Sequence, residues 1–432
     1  MSRVRDLFFD EFYRELEDVA SGLEADSEEL DSPPRLSEGL RRRWTRFKPD
    51  TGDRDEMLIS VDGGVQYSQF AYGGFVAVAR AVAITHRPGE DRRLTKRVKM
   101  HVQDVYDNRD RGFIPGYARM IAEYDAARAA AEKVLEEGGR PLVLMDGSLY
   151  IARFPYAIRE YRHHPVLLAE LFESITGLRY LARDRGFPLV AVTKDSTVFY
   201  LHMQLLKEAA TVAGLGRLMG LIGEASSPFD LQMRMDGWEP GDREAVKAFL
   251  DRRPLCDTAL VNAVTETEGY TSPLLVAPSV YYGRQDAPAL YTRIKEALPD
   301  ETADRVISAL RAFFGCPTIA VTYWKPEPHS RPFRVDLAAS ELDRTEPWIG
   351  QERNSFLGKG CNLGPLETVL NHLGHWFCND VEYNVPLKQA DVLARFDRGL
   401  YTSKYEPFIV GRLERAGVDI RGTRRALREM DE

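Results

Sequence analysis

With 432 residues, 44% of them hydrophobic and 29% charged, the chain has the composition of a folded globular protein and excludes a disordered or fibrous one. Its length allows one large core carrying insertions or two modest cores. The formal net charge of −8 excludes a protein that coats nucleic acid through a uniformly basic surface, although carboxylates gathered around a metal would enter the same sum and leave room for local basic patches.

Met1 to Glu17 mixes charged and aromatic residues without a continuous apolar stretch, so neither a secretory signal nor a membrane anchor is expected there. No later segment approaches the ~20 apolar residues that cross a bilayer. Cys256, Cys316, Cys361 and Cys378 lie far apart with no C-x-x-C pair, which fits a reducing compartment. A cytoplasmic protein without membrane contact is the expectation.

Residues 1–50 read as a short N-terminal helix followed by an acidic linker, Glu24 to Pro34, closed by Ser32-Pro33-Pro34. Met57 to Val61 is strand-compatible and ends at Asp62-Gly63-Gly64, where a turn is expected. Two more strands are expected at Gly74 to Thr85 and Arg97 to Val105, making an antiparallel meander. After Pro115-Gly116, a stretch dense in Ala, Glu and Arg predicts a helix from about Tyr117 to Glu137, stopped by Gly138-Gly139. Pro141 to Met145 is a short apolar run expected to be a strand buried on both faces, ending at Asp146-Gly147-Ser148.

Leu167, Leu168, Leu171, Ile175, Leu178 and Leu181 then follow a helical period, and Pro188 to Thr193 is a further buried strand closed by Lys194-Asp195-Ser196. A meander followed by alternating helix and strand predicts an α/β fold, a ribonuclease-H-like mixed β-sheet flanked by helices. Residues 200–255 read as a helical insertion. Further strands are expected at Pro273 to Tyr282, Thr318 to Trp324 and Pro332 to Leu337, and C-terminal helices at about Leu363 to Phe377 and Leu387 to Phe396. The main domain is expected to span residues 51–400, with a basic tail over 401–432.

Asp62 and Asp146 each end an apolar run before a glycine, a place from which a carboxylate can reach the rim of a sheet; by itself an Asp-Gly after a strand is most often only a turn. Glu123 has Ala122, Ala126, Ala127 and Ala130 around it, so its helix can approach the sheet closely; the plain alternative is a solvated glutamate. Three converging carboxylates repel and would be costly to hold together without a cation. Hard oxygen donors favour Mn²⁺ or Mg²⁺ over zinc, and two such ions would serve hydrolysis of a phosphodiester by water.

The segments SVDGG (Ser60 to Gly64), R-x-x-x-E (Arg119 to Glu123), LMDGS (Leu144 to Ser148), VTKDS (Val192 to Ser196) and YNVPLKQAD (Tyr383 to Asp391), taken in that order, resemble the NurA nucleases over roughly Leu58 to Phe396. The resemblance implies catalytic and metal-binding roles for Asp62, Glu123 and Asp146, and a 5′-3′ exonuclease on single- and double-stranded DNA that also cuts single strands internally. It further implies Mn²⁺ as the preferred ion, a homodimer, and a partnership with the hexameric ATPase HerA in resecting double-strand breaks. One position departs from the family. Near the C-terminus, where its members generally carry a histidine at the metal site, this chain has Asp391, which can ligate a hard cation or merely cap a helix.

Lys194 can hold a phosphate or lie solvated at the surface. Basic runs at Arg41-Arg42-Arg43, Arg92-Arg93, Lys96-Arg97-Lys99 and Arg421 to Arg428 can track a DNA backbone, with Arg97 and Lys99 favoured because they lie close in sequence to the proposed site. Cys361, His372, His375 and Cys378 include zinc-type ligands, but three of them share one helical stretch at a drifting spacing, so no zinc is assigned. Two other classes compete: an actin- or sugar-kinase-like ATPase, for which no second lobe or adenosine motif follows Lys194, and a non-catalytic DNA clamp, suggested by Asp391.

Overall fold

A computed structural model of the protein describes residues 9–24, 34–52, 57–70, 74–87, 89–103, 112–151, 153–155, 157–235, 250, 254–276, 286–344, 354–358 and 361–417. The acidic stretch after Glu24, the basic run Arg421 to Arg428 and the second half of the strand expected at Pro273 to Tyr282 lie outside these residues. The chain opens with α1 (Phe9–Glu24), α2 (Pro34–Arg43) and β1 (Trp44–Arg46). The expected meander is β2 (Met57–Gln69), β3 (Phe75–His86) and β4 (Arg93–Gln103), followed by α3 (Ile114–Glu136), β5 (Pro141–Asp146), α4 (Ile158–His163), α5 (Pro165–Arg185) and β6 (Leu189–Thr193).

The helical stretch after Lys194 holds α6 (Tyr200–Val212), α7 (Gly216–Glu224), α8 (Pro228–Arg234) and α9 (Asp257–Val264). Then come β7 (Gly269–Thr271), β8 (Leu274–Val276), α10 (Asp286–Ala297), α11 (Asp300–Gly315), β9 (Ile319–Lys325), β10 (Phe333–Ala338) and β11 (Ser355–Phe356). Helices α12 (Gly364–His375), α13 (Val385–Ala394) and α14 (Glu406–Arg415) complete the described chain.

All described strands join one mixed sheet in the order β1-β7-β9-β10-β6-β5-β2-β3-β4, with β8 on β9 and β11 on β8. Among them only the β2–β5 and β5–β6 pairs are parallel. Each parallel crossover passes through a helix, α3 or α5, as a parallel pair requires. The unit β4-β3-β2-β5-β6 therefore joins an antiparallel meander to two parallel strands, which is the mixed sheet flanked by helices that the element order predicted.

The two faces of the sheet divide by residue parity. Met57, Ile59 and Val61 of β2 pack with Ala118, Ala122, Ala126 and Ala130 of α3 and with the leucines of α5. Alanine on that face of α3 lets the helix axis approach the strands. Leu58, Leu142, Leu144, Val190 and Val192 face the other way, under Leu366, Leu370 and Leu373 of α12, and Val82 and Ile84 meet Ala390 and Ala394 of α13.

Two expectations are corrected. The chain does not turn after Asp62: β2 runs on through Gly63 and Gly64 to Gln69, paired along its length with β3 down to Gln69 opposite Phe75. The partner strand β3 supplies hydrogen bonds for that extension, so glycine here serves close packing and not a turn. The supposed tail is also ordered into helix as far as Arg415, and Tyr401 and Ile409 bury themselves against Phe70, Val76 and Val78. No helix among the described residues is long and apolar enough to cross a membrane.

Candidate active site

Asp62 and Asp146 point to the same face of the sheet. Val61 is registered against Met145 in the parallel β2–β5 pair, so the next residue of each strand lies beside its counterpart. Here β5 ends while β2 continues; Gly147, at φ +114°, takes a backbone conformation closed to residues with a Cβ, and its N–H donates to Val192 O at 2.9 Å. Asp62 Oδ1 accepts from the Gly63 N–H at 2.7 Å.

Glu123 reaches the same rim from α3, over Gly63. A Cβ on Gly63 would meet Glu123 Oε1 at 2.6 Å, so only glycine admits the carboxylate. The next residue does the same on the opposite face: a Cβ on Gly64 would stand 2.6 Å from the Ala394 carbonyl oxygen at the end of α13. Arg80, the cross-strand partner of Gly64, donates through Nε to that same oxygen at 2.8 Å and covers Phe396. Two consecutive glycines thus bring α3 and α13 against β2 from its two sides.

The carboxylates are buried and feel one another. Asp62 is 7% exposed and Glu123 5%. Burial, then the charges of Asp146 and Asp391, push Asp62 up to about 7 against the Gly63 N–H and Arg119. Burial pushes Glu123 up to about 7 as well, with Asp62 and Asp146 acting in the same direction and Arg119 opposing. Glu123 Oε1 is buried with no hydrogen-bond partner, Arg119 Nε standing 3.5 Å away.

Cations border the cluster one by one. Lys194 Nζ lies 3.0 Å from Asp146 Oδ2 and 4.4 Å over the ring of Tyr383. Arg395 Nη2 holds Asp391 Oδ2 at 2.7 Å, one helical turn along α13. Asp62 has no ion pair of its own among the described residues. Tyr383 is buried and stacked on Phe333 at 5.4 Å, and burial, then Asp146, raise its phenol far above its ordinary value.

The fold therefore brings together Asp62, Glu123, Asp146, Asp391 and Lys194, five residues singled out by sequence. As they stand, no three His, Cys, Asp or Glu side chains among the described residues are grouped closely enough to hold an ion. Glu123 comes from the α3 face and the aspartates project from the other, and Glu123, Asp146 and Asp391 are each engaged by a cation. The donor set still fits a divalent cation in its chemistry: hard oxygens, without an ion pair at Asp62 among the described residues and met at Glu123 Oε1 only by Arg119 at 3.5 Å.

Arg97 and Lys99 are not brought in. Lys99 is tied to Glu170 of α5, and Arg97 lies exposed on the outer strand β4 with Nη1 on the Lys96 carbonyl at 3.1 Å. Sequence reasoning named Arg119 and Tyr383 only as letters of motifs and passed over Arg80. The signal for Arg119 was its spacing four residues before Glu123, one turn of helix; Tyr383 and Arg80 declare themselves only through contacts remote in sequence. His375 Nδ1, from the Cys/His stretch, is turned to the Thr51 carbonyl at 3.1 Å.

The chain matches the family model of the NurA domain over residues 57–396. Comparison with curated protein sequences gives no match. Among solved structures it is similar to the NurA nuclease from Sulfolobus solfataricus, at 11% identity and a TM-score of 0.46, with 96% of this chain and 98% of that one covered. It is also similar to a second NurA structure, at 14% identity and a TM-score of 0.44, covering 94% of this chain and 98% of that one.

Proposed function

The chain belongs to the NurA family, and from that premise we propose that it is a metal-dependent deoxyribonuclease whose divalent cations are held by Asp62, Glu123 and Asp146, with Asp391 beside them. The observation that carries the reading is the convergence of β2, β5 and α3: Asp62 and Asp146 stand side by side where β5 ends, and Glu123 lies over Gly63, the residue after Asp62. Carboxylates brought this close raise one another and cost stability unless a cation takes up their charge, so a purely structural role gives no reason to keep them together.

Bound divalent ions would supply the charge that polarises the scissile phosphate and acidifies the attacking water. The protein's own part is to hold four carboxylates at one rim and to offer cations to the substrate. Lys194 is 36% exposed at its side chain and Arg119 44%, so each can turn from its carboxylate to a backbone phosphate. The stacked Tyr383 ring gives the Lys194 ammonium a fixed approach. Family membership extends the proposal to Mn²⁺ as the preferred ion, two ions per site, 5′-3′ digestion of single- and double-stranded DNA with internal cuts in single strands, a homodimer, and the HerA ATPase as partner in end resection.

End-labelled DNA digested in Mn²⁺, Mg²⁺ or EDTA tests the core of this reading. Wild type is expected to cleave only with metal, and Asp62→Ala and Asp146→Ala are expected to lose activity with the fold intact. Equal digestion by mutants and wild type rejects the assignment. The ion pairs now engaging Glu123, Asp146 and Asp391 favour one alternative, a DNA clamp without chemistry; DNA bound but uncut by wild type in Mn²⁺ would be its signature.

A further inference from the structure

A buried ion pair lies behind the candidate site. Arg334 and Asp336 stand two residues apart on β10, their side chains 4% and 0% exposed, with Arg334 Nε on Asp336 Oδ1 at 2.7 Å and Nη2 on Oδ2 at 2.9 Å. Burying two charges where apolar residues would pack is expensive and in itself lends little stability. The remaining hydrogen bonds of the pair leave the strand. Asp336 Oδ2 accepts from Ser148 Oγ at 2.7 Å and from the Leu149 N–H at 3.0 Å, and Arg334 Nη2 donates to Ser148 Oγ at 3.0 Å.

Ser148 Oγ in turn accepts from the Tyr150 N–H at 3.0 Å. The segment so gripped begins at Gly147, the residue after Asp146, whose own N–H and carbonyl are held by Val192 O and Thr193 Oγ1 of β6. Strand β10 pairs with β6 and β6 with β5, so the ion pair reaches across a whole strand to the loop. The direction of a carboxylate at a strand end is set by the backbone that follows it; Gly147, without a side chain and at positive φ, is held through its backbone by β6, and the residues after it by the network at Ser148.

We infer that Asp336, Arg334 and Ser148 are positioning residues for Asp146, fixing through the 147–150 loop the orientation in which its carboxylate meets a divalent cation. The inference rests on the proposed metal-dependent reading and deepens it. Outer partners that orient a ligand are worth about 10- to 100-fold in metal affinity in other proteins, whereas a merely structural pair would lower melting temperature and leave affinity alone.

The test is Mn²⁺ titration of the whole chain by calorimetry, without DNA, alongside thermal melts. Ser148→Ala removes the centre of the network without burying a lone charge; Asp336→Asn is the sharper variant, and Ser148→Ala decides the matter if Asp336→Asn does not fold. Leu310→Ala is the control, a fully buried core leucine of α11, which packs on α5. Its cavity costs melting temperature by a route independent of the loop. A Mn²⁺ affinity loss of about tenfold or more in Ser148→Ala, absent from Leu310→Ala at equal or greater loss of melting temperature, is expected. Wild-type affinity in Ser148→Ala, or a loss matched by the control, overturns the inference and leaves the metal site standing. Absence of Mn²⁺ binding by wild type overturns both.

Discussion

Gly63 lies directly under Glu123: a methyl group on its Cα would stand 2.6 Å from Oε1 and 2.7 Å from Cγ of the glutamate. The obstacle is the far end of a flexible side chain, so Gly63→Ala is expected to fold and to displace the carboxylate. Melting temperature should change little while Mn²⁺-dependent cleavage falls at least tenfold. Gly64→Ala meets the Ala394 carbonyl at 2.6 Å, and backbone gives way less easily. Overpacking of that kind costs about 1–3 kcal/mol, so this variant should lose melting temperature as α13 is pushed from β2. Parallel melts and digestions of the two proteins check the contrast; activity retained in Gly63→Ala would detach Glu123 from the chemistry.

The raised carboxylates make a prediction about stability without metal. Asp62 goes from an ordinary 3.8 to about 7 and Glu123 from 4.5 to about 7, so between about pH 4 and 7 the folded chain holds protons that the unfolded chain has released. Stability must then fall as pH rises through that window, with the penalty complete above about pH 7. A tenfold difference in proton affinity between the folded and unfolded chain corresponds to about 1.4 kcal/mol, so the penalty is on the order of a few kcal/mol. Asp62→Asn and Glu123→Gln are expected to flatten this slope and to melt higher than wild type at pH 8 in EDTA. Saturating Mn²⁺ should stabilise wild type most at that pH, where both carboxylates are charged. A metal-free melting temperature that rises from pH 5 to 8, or is unmoved by both substitutions, contradicts the arrangement.

How far the sequence carries this site depends on the range of the interactions that build it. The apolar runs ending at Asp146 and Thr193, and the alanine face of α3, are local patterns, and they locate β5, β6 and the helix that bears Glu123. That β2 and β5 are neighbours follows from element order, whereas the register that sets Asp62 beside Asp146 is fixed by which face of each strand is buried. Reading Asp62-Gly63-Gly64 as a turn failed because the reason for those glycines lies elsewhere: Glu123 is sixty residues away and Ala394 more than three hundred. The same holds for Arg80 at the end of α13 and for Asp336 behind the Asp146 loop. Lys99 misled for the converse reason, since closeness in sequence to the site says nothing of its tie to Glu170.

Under the proposed reading, Lys194 would pass from Asp146 to a substrate phosphate. Its ammonium pairs with Asp146 at 3.0 Å and lies over Tyr383, and a cation entering the site competes for the same carboxylate. Lys194→Ala is therefore expected to bind Mn²⁺ at least as tightly as wild type while binding DNA more weakly. If Lys194 turns to a backbone phosphate, the variant should also lose about one from the slope of log affinity for DNA against log salt. Fluorescence anisotropy with labelled DNA in Ca²⁺ at several salt concentrations measures that slope. An unchanged slope would confine Lys194 to its contact with Asp146.

Asp391 lies near enough to Asp62 that its charge is one of the influences that raise that carboxylate. Its own partner, Arg395, is on the exposed side of α13. If the residue belongs to the site, Asp391→His should keep Mn²⁺-dependent cleavage within about tenfold of wild type, since imidazole is also a competent ligand for Mn²⁺. Removing the negative charge should at the same time ease ionisation of Asp62, so the acid limb of Mn²⁺ affinity moves to lower pH in Asp391→His and in Asp391→Ala. Only the alanine variant is then expected to lose cleavage. If all three proteins share one acid limb and one rate, Asp391 does no more than pair with Arg395 on the last turn of α13.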